Sequence, residues 1–118
     1  MKMLQAVLIS SLIVATAGTA HGQMGFSAAR GDIELSDADR GLLEQSIRSV
    51  LESGEVGAVD SWQNPETGIS GESTLLETYM EGDTSCGRVD FQIRRHGRVA
   101  PFDLLFCQRP NGTWGIAG

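Results

Sequence analysis

Two cysteines, Cys86 and Cys107, lie at equal distances along the chain from the dipeptide His96-Gly97. A polar residue followed by glycine between two alternating apolar segments is typical of a tight β-hairpin turn. With the turn at His96-Gly97, the two cysteines face each other directly across the hairpin, where a disulfide can form. The spacing therefore predicts a hairpin closed by a disulfide, and the rest of the fold must be built around it.

The apolar side chains favour the same hairpin register. On the face opposite the cysteines, this register pairs Val89 with Leu104, Phe91 with Phe102 and Ile93 with Ala100. A slip of one residue would turn this face toward water and separate the two cysteines. Hydrophobic pattern and cysteine spacing therefore predict one and the same pairing.

Two features of the other face test this register. Asp90 lies opposite Asp103, and like charges in that position are unfavourable. Arg88, diagonal to Asp103, can offset the repulsion, and a bulge that displaces the pair is the alternative. Pro101 cannot donate a backbone hydrogen bond, so we expect the outer side of its strand to be unpaired there.

The first 22 residues have the three parts of a secretory signal peptide. Lys2 is followed by an apolar run over residues 3–14 and by small residues up to 20–22. We expect cleavage before Gln23, with an uncleaved anchor or a buried helix as the alternative. The apolar run is shorter than the roughly 20 residues that cross a bilayer. The mature chain is therefore predicted to have no transmembrane span and to reach the periplasm or the cell surface.

Export has a consequence for the cysteines. In an oxidising compartment, an even cysteine count indicates a disulfide rather than reactive thiols or metal ligands. Closing the loop between Cys86 and Cys107 would stabilise the fold by about 3 kcal/mol. For one small domain this is a large share of the free energy of unfolding.

The charge of the chain argues against nucleic acid as a partner. It carries 15 acidic residues against 9 lysines and arginines, a formal net charge of −6, whereas phosphate binding needs a basic face. Four arginines do cluster in the predicted hairpin: Arg88, Arg94, Arg95 and Arg98. We interpret them as solvated charges that protect a strand edge, with a local cationic edge as the alternative.

Composition and hydrophobic pattern divide the chain into three predicted segments: a signal peptide over 1–22, a flexible lead-in over 23–35 and an α+β domain over 36–118. A helix over 37–53 is predicted, with Ser36 as its N-cap and Gly54 as its C-cap. Its core-facing residues, at helical spacing, are Leu43, Ile47, Val50 and Leu51.

The part after the helix has short apolar runs broken by turn residues, which is typical of antiparallel sheet. The predicted strands cover 58–63, 69–79 with a bulge at Gly71, 86–95, 98–109 and 113–116. A turn at Asn111-Gly112 places Trp114 opposite Arg109, and Ile116 opposite Cys107. The predicted fold is thus one N-terminal helix packed on a four- to five-stranded antiparallel sheet with one disulfide.

The residues of this chain form no recognisable catalytic, metal or cofactor site. The disulfide uses both cysteines, and His96 is in a turn, so neither a nucleophile–base pair nor a zinc site is expected. The acidic cluster Asp32, Glu34, Asp37 and Asp39 lacks the pattern of a calcium loop and is better explained by helix capping. A hydrolase with Asp90 and Asp103 as its two carboxylates is a remaining alternative.

Three aromatic residues are the candidate interaction surface: Trp62, Tyr79 and Trp114. Each lies near a predicted loop, where binding residues concentrate. Aromatic residues on a sheet are more often part of the core, so a structural role for them is the alternative.

Several motifs in the chain resemble a known family. They are Trp62-Gln63-Asn64-Pro65-Glu66-Thr67-Gly68, then Cys86-Gly87-Arg88, then Cys107-Gln108-Arg109-Pro110-Asn111-Gly112-Thr113-Trp114. In combination and in this order, they are similar to the 17 kDa surface antigen family of Gram-negative bacteria. The chain lacks the glycine zipper and the lipobox that many members carry.

The resemblance implies an exported domain of the cell envelope, periplasmic or associated with the outer membrane, with no enzymatic activity. It implies a structural or interaction role, with another envelope protein or a cell-wall component as the expected partner. A small periplasmic inhibitor of a cell-wall enzyme is the alternative, since exported β-domains with a disulfide can serve that purpose.

Overall fold

The computed structural model describes residues 29–30 and 33–117, so the predicted signal peptide lies outside the described residues. One helix, α1 (Asp37–Ser53), precedes a five-stranded antiparallel sheet. The strands of that sheet are β3 (Val59–Asn64), β4 (Ile69–Glu81), β5 (Thr84–Arg95), β6 (Arg98–Gln108) and β7 (Trp114–Ile116). A two-stranded ladder, β1 (Ala29–Arg30) and β2 (Ile33–Glu34), lies before the helix. The predicted α+β class, with one helix on an antiparallel sheet, is confirmed.

The five strands follow each other in chain order across the sheet, so every connection is a hairpin. The turn between β5 and β6 is the predicted one, and both of its residues have positive φ, 49° at His96 and 80° at Gly97. Two such residues in sequence form the turn that matches the twist of a two-residue hairpin.

The register of this hairpin and its disulfide are also confirmed. Cys86 pairs with Cys107, and the two residues form a disulfide with their Cα atoms 4.1 Å apart. This separation is that of the closer type of cross-strand pair, in which the residues do not bond to each other through their backbones. Asp90 faces Asp103 without a bulge.

Both ends of α1 are capped as the sequence predicts. The Ser36 hydroxyl accepts a hydrogen bond from the Asp39 N–H, and the Asp39 carboxylate accepts one from the Ser36 N–H. Gly54 is in the left-handed conformation at φ 66° and donates its N–H to Leu51 O. The helix therefore starts and stops at locally encoded positions.

The core lies between α1 and one face of the sheet. The predicted helix residues Leu43, Ile47, Val50 and Leu51 are all buried there. From the sheet they meet Leu75, Val89, Phe91, Ile93 and Phe106. The Phe91 and Phe102 rings stack with centroids 4.9 Å apart across the β5–β6 pair.

The structure corrects the predicted start of the packed domain. Ile33 and Leu35 fall within the segment predicted as a flexible lead-in, yet they are buried in the core, and Ile33 also pairs with Arg30. Two apolar residues in a polar stretch are too few for a periodic signal, so their burial was not predicted. The domain thus begins before residue 36.

The predicted bulge at Gly71 is wrong, because the irregularity lies between Leu75 and Glu77. Gly71 pairs regularly, and a Cβ atom built on it would lie 2.5 Å from Nε1 of Trp62. The glycine is therefore needed because the Trp62 indole lies over it, a reason that pairing patterns alone do not reveal.

The predicted register of the last strand is wrong by one residue. Gly112 donates to Arg109 O and has a φ of 91°, so the turn is centred on Pro110 and Asn111 with a glycine bulge after it. Trp114 consequently faces Gln108 rather than Arg109, and Ile116 faces Phe106 rather than Cys107. The Trp114 side chain is thereby on the core side of the sheet.

Candidate functional site

A cleft of about 600 Å³ lies at the carboxyl end of α1, beside the disulfide. Its walls are the end of the helix at Leu51 and Gly54, the β4–β5 hairpin at Tyr79 and Met80, and Trp114 of β7. The volume is within the range of small-ligand sites in proteins. The cleft is therefore the candidate binding site of the described domain.

Local sequence explains why the helix ends here and how closely it approaches the sheet. Gly54 terminates α1, and Gly87 of β5 lies beneath its last turn. A Cβ atom at position 87 would lie 2.6 Å from Cδ2 of Leu51, so the glycine permits this close approach. Beyond this contact the β4–β5 hairpin continues to Glu81 and Thr84. The hairpin thus projects past the end of the helix and leaves the cleft open.

The hairpin wall of the cleft combines an exposed, flexible side chain with a covalent bond to the next strand. The Met80 side chain is 60% exposed, and a flexible thioether of this kind adapts to different partners. On the paired strand of the same hairpin, Cys86 is 3% exposed and is bonded to Cys107 of β6. The Met80 side chain can therefore adapt to a ligand while the disulfide holds β5 of the same hairpin to β6.

The helix end makes its wall of the cleft negative. Its last turn contains no basic residue, Glu52 lines the cleft, and the C-terminal carbonyls carry the negative end of the helix dipole. Together with Met80 and Trp114, this wall suits a ligand that combines an apolar group with a positive charge.

The structure brings two of the three predicted aromatic residues to this cleft. Tyr79 is half-buried opposite Cys86, and Trp114 is buried, and both line the cleft. Trp62 lies on β3 at the other edge of the sheet, where it is buried and lines a separate groove. The three residues thus do not form one surface.

The outer face of the sheet carries the predicted Arg88 interaction. Arg88 binds the Asp103 carboxylate with two hydrogen bonds of 2.8 Å, and Glu77 lies 3.8 Å from its guanidinium. The hydrogen bonds and charge of Arg88 lower the pKa of Asp103. A general acid in a glycosidase needs a raised pKa, so in the alternative in which Asp90 and Asp103 act as a catalytic pair, Asp103 is not suited to the role of the acid.

A buried network at the amino end of α1 was not predicted. The Asp39 side chain is fully buried and accepts hydrogen bonds of 2.8 Å from Asn64 Nδ2 and Thr67 Oγ1, besides those from the Ser36 backbone and hydroxyl. Burial alone would raise the pKa of Asp39, but the hydrogen bonds from Ser36, Thr67 and Asn64 outweigh it and lower the pKa.

This network explains part of the Trp62–Gly68 motif. Asn64 and Thr67 bind Asp39, and Gly68 closes the turn with a positive φ of 76°. The Asn64 amide group also accepts the N–H of Glu66, which shapes the loop. The motif thus holds the turn between β3 and β4 against the start of α1. The sequence signal for this contact was the acidic residue three positions after the serine N-cap.

Within residues 29–30 and 33–117, no group of three or more His, Cys, Asp or Glu side chains is placed to hold a metal ion. No helix in this part of the chain is both long and apolar enough to cross a membrane. Comparisons with family models, with curated proteins and with solved structures found no match to this chain.

Proposed function

We propose that this chain is an exported, non-catalytic domain of the cell envelope that binds another envelope component through the cleft beside the disulfide. The observation that carries the proposal is the cleft of about 600 Å³, with Tyr79, Met80 and Trp114 in its walls. A concave site with apolar walls and a few polar groups is where a binding function is first expected.

Two features support export. The leader over residues 1–22 has the charge, apolar run and small residues of a signal peptide. The disulfide between Cys86 and Cys107 is compatible with an oxidising compartment. We propose the periplasm or the cell surface as the location, and a divergent relative of the 17 kDa surface antigen family as the kind of protein.

Cell fractionation tests the location. The full chain is expressed in a Gram-negative host, and the protein in each fraction is treated with a thiol-reactive label under denaturing conditions. We expect a chain shortened by its leader in the periplasmic or membrane fraction, with no reactive thiol. A full-length cytoplasmic chain with two reactive thiols would contradict export.

A retention experiment tests the binding role. The protein purified from that host is immobilised and exposed to solubilised envelope proteins and to cell-wall fragments. Met80→Lys adds a positive charge in the cleft, which opposes a positively charged ligand, whereas Val99→Lys adds one at a site of similar exposure, 60% against 52%, on β6. We expect Met80→Lys alone to lose the retained component.

The identity of that component separates the two forms of the proposal. A cell-wall hydrolase that loses activity when the protein is added would favour the inhibitor. A component without such activity would favour a structural or interaction role. Equal retention by the protein and by both variants would contradict binding at the cleft.

A further inference from the structure

The two edges of the five-stranded sheet differ in how they are protected. Along β6, β7 covers Phe106–Gln108, and Pro101 removes a backbone donor from the stretch beyond. Along β3, the described residues form no further strand, and Val59–Asn64 contains no proline, no lysine and no bulge. Natural sheets usually carry such devices on an edge that must stay unpaired. The β3 edge lacks them.

The backbone of β3 directs alternate residues toward this edge. The Leu75 N–H donates to Ala58 O at 3.0 Å, so position 58 bonds toward β4. Since the bonding direction alternates along a strand, the N–H and C=O groups of Val59, Ser61 and Gln63 point to the open edge. Their side chains are exposed on the outer face of the sheet.

Helix α1 flanks the same edge with an uncharged stripe. The helix packs on β3 and β4, and its side toward the edge carries Leu42, Gln45 and Ser49. With β3 they line a groove of about 390 Å³. The Trp62 indole lies over Gly71 on the inner side of β3, and so does not fill the space beyond the edge.

We propose that a second copy of this chain occupies this groove, with the two β3 strands antiparallel and Ser61 on the two-fold axis. The outward groups of Val59, Ser61 and Gln63 would then form about six backbone hydrogen bonds between the copies. Asp60 would lie opposite Trp62 of the partner copy, so no two carboxylates face each other. Of the described residues that line the groove, only Asp60 is charged, so a second copy of this chain, with its net charge of −6, meets few like charges there.

The spacing of the helices fits this arrangement. The middle of α1 lies over β3 and β4, where the Ser46 hydroxyl is hydrogen-bonded to Asp60 O and to the Ser73 hydroxyl, while its last turn lies over β5. Neighbouring strands lie about 4.8 Å apart, so the middle of the helix is about one strand spacing from the two-fold axis. The two copies of α1 would then lie about 10 Å apart at their middles, which is within the range for packed helices. Their stripes of Leu42, Gln45 and Ser49 would face each other, and the same pairing would bury both the strand edge and the groove.

The two-fold axis gives a specific test, because residue 61 meets its own copy. Ser61→Lys and Ser61→Asp each place two like charges directly opposite each other in the dimer, while in the single copy both side chains are solvated. The molar mass in solution is measured for the protein expressed from the full chain, from micromolar to millimolar concentration. We expect a mass of two chains for the unaltered protein and of one chain for each variant.

Mixing the two variants tests whether opposite charges at position 61 restore the dimer. An equimolar mixture of Ser61→Lys and Ser61→Asp is expected to regain the mass of two chains, which a misfolded variant could not do. Val99→Lys, on the other edge, is the control and should leave the dimer intact. A mass of one chain for the unaltered protein at millimolar concentration would overturn the proposal. So would a dimer of Ser61→Lys that persists alone.

This inference stands apart from the proposed binding role. Ser61 lies on β3, while Met80 and the cleft lie beyond the carboxyl end of α1. Loss of the dimer with Ser61→Lys would therefore leave retention through the cleft unchanged, so the two proposals can fail separately. An extended peptide that binds β3 of a monomeric chain would contradict the second copy as its occupant.

Discussion

The two ends of helix α1 are built in opposite ways. At its amino end, the Asp39 carboxylate is fully buried and accepts hydrogen bonds from Ser36, Asn64 and Thr67. At its carboxyl end, the helix stops at Gly54 and borders an open cleft of about 600 Å³.

The difference separates the residues that hold the fold from those that are available for a partner. A buried charge is tolerated only if its hydrogen bonds are all made, so the amino end leaves little freedom to change. An exposed wall such as Met80 has no such constraint. Changes at the amino end should therefore cost stability, and changes in the cleft wall should not.

The largest effect is expected for Asp39→Ala. The variant leaves the buried donors of Ser36, Asn64 and Thr67 without their acceptor, and we expect the free energy of unfolding to fall by about 4 kcal/mol. Urea denaturation measures the change. Asp37→Ala, an exposed acid in the same first turn, is the control and should cost less than about 1 kcal/mol. Equal losses for the two variants would contradict the view that the buried Asp39 network stabilises the amino end of α1.

Loss of the disulfide is expected to rank next. Replacing Cys86 and Cys107 together by serine should lower the free energy of unfolding by about 3 kcal/mol, because the unfolded chain is no longer restrained by the loop. Denaturation of the unaltered protein with and without a reductant gives an independent value. A variant as stable as the oxidised protein would show that the bond does not support the cleft.

Gly87→Ala tests the approach of the helix end to the sheet. The added methyl group would lie 2.6 Å from Cδ2 of Leu51 and 3.3 Å from Cδ1 of Leu75, so the side chains must shift, at a cost of about 2 kcal/mol. Gly41→Ala is the matched control. Gly41 lies in α1 with open space around it, so the free energy of unfolding should rise by about 1 kcal/mol through helix propensity. A neutral Gly87→Ala would contradict the close packing.

A smaller effect is expected on the free energy of unfolding at acidic pH. Because the pKa of Asp39 is lowered in the folded protein, its contribution is complete above the unfolded pKa of about 4 and is lost as the pH falls toward the folded value. Below about pH 4, the unfolded pKa, the unaltered protein should lose stability more steeply than Asp39→Asn does. Denaturant midpoints between neutral and acidic pH measure the two slopes. Parallel curves would mean that Asp39 is not ionised in its network.

The smallest effect is expected in the cleft. Met80→Ala should change the free energy of unfolding by less than about 0.5 kcal/mol, because the side chain is largely exposed. The same urea titration measures it. A loss as large as that of Asp39→Ala would show that the two ends of α1 do not differ as described.

Features set by neighbouring residues were predicted well from the sequence. Ser36 and Gly54 mark the ends of α1, and His96-Gly97 with the two cysteines fixes the hairpin register. Each of these signals acts within a turn or across one hairpin, where residue type determines the backbone geometry. The positions found therefore agree with those predicted.

Features that depend on distant contacts were missed. The need for Gly71 comes from the Trp62 indole on another strand, and the partners of Asp39 include Asn64 and Thr67, 25 and 28 residues away along the chain. The cleft forms where three separate elements end, so neither its volume nor the separation of Trp62 from Trp114 follows from local patterns. The one-residue shift of the last strand came from Gly112, whose bulge replaced the simpler turn.

Site-specific photo-crosslinking in cells can show whether the open end of α1 is the end that binds a partner. A photoreactive residue replaces either Met80 in the cleft or Glu66 in the exposed turn beside the Asp39 network. We expect one specific adduct with an envelope component from position 80 and none from position 66. The same adduct from both positions, or an adduct from position 66 alone, would contradict this expectation.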